Sequence, residues 1–152
     1  MARYPPRGRL GPRSVGRIRQ IQTAKDLAID LGADRPGAPV KAAEAMGKNG
    51  INIDGFAVTG DGVLHLVARD PMAARRAVEG AGFKVHAQRE VIIADVEDRP
   101  GTLAAVLRPA ADAEVNVDLV YSLGSNRIAI GGKDFAKLSE ALNVKSPAAT
   151  RG

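Results

Sequence analysis

The chain has 152 residues, 45% of them hydrophobic, a formal charge of +5 and no cysteine. That is material for one ordinary domain or two small ones sharing a core, and it excludes disulfides, thiolate metal sites and cysteine nucleophiles. No apolar run approaches the ~18 residues of a membrane span, and the positive N-terminus lacks the apolar centre of a secretory signal, so a cytoplasmic location is expected.

The charge is local. Arg3, Arg7, Arg9, Arg13, Arg17, Arg19 and Lys25 fall within the first 25 residues with no acid among them, which leaves the rest of the chain at −2. Rich in Pro, Gly and Arg and poor in apolar side chains before Val15, residues 1–22 are expected to form a disordered tail, because so little burial cannot offset the entropy of ordering. An RNA-contacting arm and a transit peptide are the alternatives to an extension without function, which the composition favours.

After the tail, "DLAIDL" is a short run of strand length, followed by D-R-P-G at residues 34–37. A helical stretch, "APVKAAEAMGKNG", comes next, with Pro36 suited to a first helical turn. A second strand is predicted over 51–58, a tight turn at "TGDGV", and a third strand over 63–68. "DPMAARRAVEGAG" reads as a second helix with Asp70 as N-cap and Pro71 at its first position, and "FKVHAQ" as a fourth strand.

Only Gln88-Arg89 separates that strand from "EVIIADV", after which D-R-P-G recurs at residues 98–101 and the whole order repeats at an offset of 64 residues. "TLAAVLRPAADAE" supplies the helix, with Pro109 expected to kink it. Strands follow over 115–122 and 127–131, joined by "LGSNR", and "DFAKLSEAL" is the last helix, capped by Asp134. Ile29 falls on Ile93, Asn52 on Asn116, Asp54 on Asp118, Gly60 on Gly124 and Asp70 on Asp134. The second fourth strand would fall at "PAATRG", a poor strand sequence, so it is expected to be weak or missing, with "RIRQIQ" at 17–22 as a candidate substitute. The chain thus reads as an α+β protein of two ferredoxin-like β-α-β-β-α-β units in tandem, antiparallel sheets with helices on one face. The boundaries are 1–22 for the tail, 23–89 and 90–145 for the two units, and 146–152 for a C-terminal tail. So short a linker requires the units to be rigidly coupled.

Two such units, each with D-R-P-G between first strand and first helix and an N-[IV]-D strand start, resemble the ACT-domain family, and in particular its small stand-alone tandem members. The resemblance covers roughly residues 25–145. It implies a regulatory protein, not an enzyme, that binds a free amino acid at an interface between units and modulates a partner. It also implies burial between copies, hence a homodimer. Position by position it places the polar contacts at Asp34 and Asp98 and the second-strand asparagines at Asn52 and Asn116. Serine-binding members carry a histidine two residues before that aspartate, where this chain has Gly32 and Val96, which argues against serine.

The chemistry is coherent in its own terms. A helix start offers free N–H groups and a favourable dipole to a carboxylate. Gly37 and Gly101 have no Cβ to block approach, Asp34 and Asp98 suit an ammonium, and Asn52 and Asn116 both donate and accept. Arg35 and Arg99 complete the candidate ligand-binding set. The same residues serve equally as a helix cap, a first-turn proline and a sharp entry into the helix. His65 and His86 stand alone on their strands, so no metal is expected, and no cofactor fingerprint or nucleophile–base set can be assembled. Alternatives are an oligomerisation module of the same fold without ligand, and an RRM-like nucleic-acid binder. The latter is disfavoured because "VLHLVA" and "RIAIG" carry no aromatics on which bases would stack.

Overall fold

A computed structural model describes residues 18–144. The elements run β1 (Ile18–Asp30), α1 (Ala38–Lys48), β2 (Ile53–Val58), β3 (Val63–Ala68), α2 (Pro71–Gly80), β4 (Lys84–Val96), α3 (Thr102–Asp112), β5 (Leu119–Leu123), β6 (Arg127–Gly131) and α4 (Phe135–Ala141). The expected order of strands and helices is present, and all strand pairs are antiparallel. No helix among the described residues is long and apolar enough to cross a membrane.

The sheet differs from the expectation. In place of two sheets there is one closed barrel, in the order β1-β3-β2-β5-β6-β4. The cause is the length of β1 and β4, 13 residues each, which pair with one another from Ile18↔Val96 to Asp30↔Lys84. The far half of β1 also pairs with β3, and the far half of β4 with β6. The remaining edges, β2 and β5, meet at Gly55↔Leu123 and close the ring.

Two expectations about the chain's organisation change accordingly. Residues 18–22, assigned to the tail, are strand, and the first part of β1 lies beside Val91–Val96, where the second half needs a fourth strand. The substitute segment therefore takes that place, while "PAATRG" lies outside the described residues. The linker at Gln88-Arg89 does not exist as a loop, because β4 runs straight through it. Pro109, the expected kink, lies inside α3, which is helical through to Asp112.

Strand alternation sorts the apolar residues into three clusters. Leu27, Ile29, Leu31, Leu64 and Leu66 face Ala42, Met46, Ala74 and Val78 of α1 and α2. Ile92, Ala94, Val96 and Ile130 pack with Val106, Ala110 and Leu138 of α3 and α4. Val67, Val91, Ile93, Tyr121, Leu123 and Ala129 fill the barrel interior. "VIIA" at residues 91–94 is continuously apolar because both of its faces are covered. Each fully buried Leu or Ile contributes roughly 1.5–3 kcal/mol.

Candidate functional site

The two D-R-P-G segments fold into the same local structure. Arg35 accepts a hydrogen bond from the Ala38 N–H at 3.2 Å, and Arg99 from the Thr102 N–H at 3.3 Å. Between them Gly37 has φ, ψ of 83°, −10° and Gly101 of 89°, −9°, the values of the third residue of a type II turn. Proline suits the second place of that turn and glycine the third, which explains the repeated P-G. Pro36 and Pro100 therefore precede the helix instead of entering its first turn. Gly37 and Gly101, not the aspartates, occupy the N-cap positions, and neither helix start has a side-chain cap.

Asp34, Arg35, Asp98 and Arg99 are exposed. Asp34 sits at φ 52°, and Arg99 pairs with Glu97 at 3.3 Å. At the first residue of α3, Thr102 is 5% exposed, and its Oγ1 is buried without a hydrogen-bond partner. Such a group is rare. Its counterpart in α1 is Ala38.

Strand direction decides which asparagine shares an end of the barrel with which loop. β2 runs parallel to β1, since both are antiparallel to β3, so Asn52 lies at the opposite end from the loop that follows β1. The antiparallel β2–β5 pair puts Asn52 at the end where β4 finishes and Asp98 begins. Two bonds tie this end together. The Val96 N–H donates to the Asn126 carbonyl at 3.0 Å, and the Gly124 N–H to the Asp54 carbonyl at 3.2 Å. Asn52 itself donates to Asp54 Oδ1 at 3.3 Å. Asn116 correspondingly shares the other end with Asp34.

A second polar constellation is absent from the sequence-derived set. Asp26 is 1% exposed in the barrel interior. Tyr121 donates its hydroxyl to Asp26 Oδ1 at 2.7 Å, and His65 Nδ1 lies 3.0 Å from Oδ2. Burial pushes the Tyr121 phenol well above its ordinary range, and the hydrogen bond to Asp26 adds to this. The trio ties β1, β3 and β5 together through the carboxyl group of Asp26. "DLAIDL" alternates polar and apolar, which reads as a strand with a solvated face. Only barrel closure turns the Asp26 face inward. The 64-residue counterparts of Asp26, His65 and Tyr121 are Glu90, Ala129 and Ala57, so repeat logic gives no hint of them.

Beside the trio, Arg89 grips Asp118 with both terminal nitrogens, at 2.7 and 3.1 Å. That bond holds the Asp118 carboxyl below its ordinary 3.8. The stability it contributes is complete above that value and is lost as pH falls through the lowered one. Asp118→Asn is expected to flatten the acid limb of the melting temperature against pH below about 4, measured by circular dichroism.

No protein-family model matches the chain, and no curated protein matches its sequence. Solved structures do share its fold. Protein BT0572 from Bacteroides thetaiotaomicron is 26% identical, with 81% of this chain and 88% of that one covered and a TM-score of 0.72. The regulatory subunit of aspartate kinase from Thermus flavus is 17% identical over 81% and 90% of the two chains, with a TM-score of 0.58. Aspartokinase III of E. coli, solved with lysine and aspartate, is 11% identical over 82% of this chain and 31% of that one, with a TM-score of 0.54. The chain therefore has the α+β fold found in the regulatory parts of aspartate kinases.

Proposed function

We propose that the protein is a regulatory amino-acid sensor of two β-α-β-β-α-β units, binding a free amino acid at the ends of the barrel and modulating a partner enzyme. The observation that carries this reading is the buried, unpartnered Thr102 hydroxyl at an uncapped helix start behind the second D-R-P-G. A ligand carboxylate there meets free N–H groups and the positive end of the helix dipole. Asp98 and Asn52, drawn from different halves, then address the ammonium; Asp34, Gly37 and Asn116 share the other end, where Ala38 stands in place of Thr102 and Pro39 removes one of the helix-start N–H groups. Regulatory aspartate kinase folds among the structural neighbours support the role, and the lysine- and aspartate-bound aspartokinase supports the ligand class.

A thermal-shift screen of the twenty amino acids tests the reading. A ligand at 100 times its Kd stabilises by about 2.7 kcal/mol, roughly 5–10 °C for a chain of this size. Thr102→Ala and Asn52→Ala are expected to remove the shift at the second site with the unliganded melt nearly unchanged. If no amino acid moves the melt, the sensor reading fails.

An oligomerisation module without ligand is the second reading. Phe56, Val58 and Val120, 64%, 49% and 38% exposed, favour it. Their register across the β2–β5 join puts them on one outer strip. Barrel closure leaves no open sheet edge among the described strands through which copies could pair. The RRM-like reading loses its surface too, because the sheet face on which bases would stack lines the barrel interior.

A further inference from the structure

The outer surface of α1 and α2 carries a groove of about 530 Å³, inside the roughly 300–1,000 Å³ that small-molecule sites occupy. Short side chains such as Ala73 and Ala77 line it, with Lys41 and Lys48 from α1 and Arg76 from α2 against one carboxylate, Glu44. A second hollow of about 260 Å³ adjoins it at the start of α1, sharing Lys41 and adding Arg35. Lys41 lies 5.7 Å over the Phe83 ring. Among the described residues, Lys48, Arg76 and Glu44 enter no ion pair.

The second half of the chain is an internal control. There the positions of Lys41, Lys48 and Arg76 hold Ala105, Asp112 and Glu140. The core positions of the same helices stay apolar: Ala42, Met46 and Ala74 are matched by Val106, Ala110 and Leu138. A helix pair of this kind packs without the cations, so packing does not account for them. Three cations along an 11-residue helix and its neighbour, roughly 16 Å of length, repel one another and raise the local concentration of anions.

We infer that this groove binds a phosphate-bearing small molecule of the nucleoside polyphosphate type. Lysines meet phosphate as point charges and Arg76 as a planar fork, while the alanine floor leaves room for a flat ring. The full chain is titrated calorimetrically with ATP, AMP and inorganic phosphate. ATP is expected to bind saturably at one site at least tenfold tighter than AMP, and phosphate more weakly still. The pair Lys48→Glu with Arg76→Glu is expected to weaken ATP at least tenfold. Lys48→Gln with Arg76→Gln provides the same test should the charge reversal not fold. Arg108→Glu on α3 is expected to leave binding unchanged. Absence of saturable ATP binding at millimolar concentration overturns the inference. So does binding that survives the groove variants, which places it on the N-terminal arginines, or a single-stranded RNA that displaces ATP and binds more tightly. None of these results depends on the amino-acid screen.

Discussion

Replacing Gly55 with alanine is expected to destabilise the protein by about 2–3 kcal/mol, and with valine by more, through overpacking of a join that has nowhere to move. A Cβ at Gly55 would stand 2.5 Å from Leu123 Cγ, 3.0 Å from Leu123 Cα and 3.0 Å from the Ser122 carbonyl oxygen. The side chain can turn aside, but the two backbone atoms cannot do so without parting the strands. β2 and β5 are paired only at Gly55↔Leu123, supported by the Gly124 N–H on the Asp54 carbonyl, so this is where the barrel is held by least. Urea melts of Gly55→Ala and Gly55→Val measure the loss, which corresponds to roughly 5–10 °C for alanine. Leu123→Ala measured alone and in the Gly55→Ala background gives the coupling free energy between the two positions. An unchanged melt for Gly55→Val would mean that β2 and β5 do not close the ring in solution.

Tyr121→Phe is expected to cost about 1.5–3 kcal/mol, the range for a lost hydrogen bond to a charged group. It leaves a carboxylate, 1% exposed, with His65 in place of two partners. Asp26→Ala strands the Tyr121 hydroxyl and the His65 nitrogen together and is expected to cost about 2–4 kcal/mol, since both groups lose their acceptor and a cavity opens. The effects are non-additive. Asp26→Leu with Tyr121→Phe and His65→Leu removes every member of the trio at once, and is expected to be less destabilised than Asp26→Ala because no polar group is left unpaired. Denaturant melts of the three variants decide this. A triple variant that loses the sum of the single effects would show that the trio is no more than packing volume.

Much of the local structure was legible in the residues. The third strands, the Asp70 and Asp134 caps and the helices after each D-R-P-G are found where alternation, capping chemistry and 3.6-residue periodicity place them. The role of D-R-P-G was half legible. Pro and Gly mark a turn, but which residue caps the helix depends on the φ of Gly37 and Gly101, a property of the closed turn and not of the four letters. Thr102 gave no signal at all, because a threonine after D-R-P-G is unremarkable until its hydroxyl is buried without a partner.

By itself the sequence determined the element order and the apolar faces, since these follow from spacing along the chain. Tertiary structure decided what spacing cannot encode. Whether Asp26 meets water or Tyr121, 95 residues away, depends on whether free sheet edges stay apart or meet. Which asparagine neighbours which D-R-P-G depends on strand direction around the ring. Both are settled by β1 and β4 running 13 residues each, long enough to pair along their whole length, serve both helix layers and bring the edges of β2 and β5 together at Gly55.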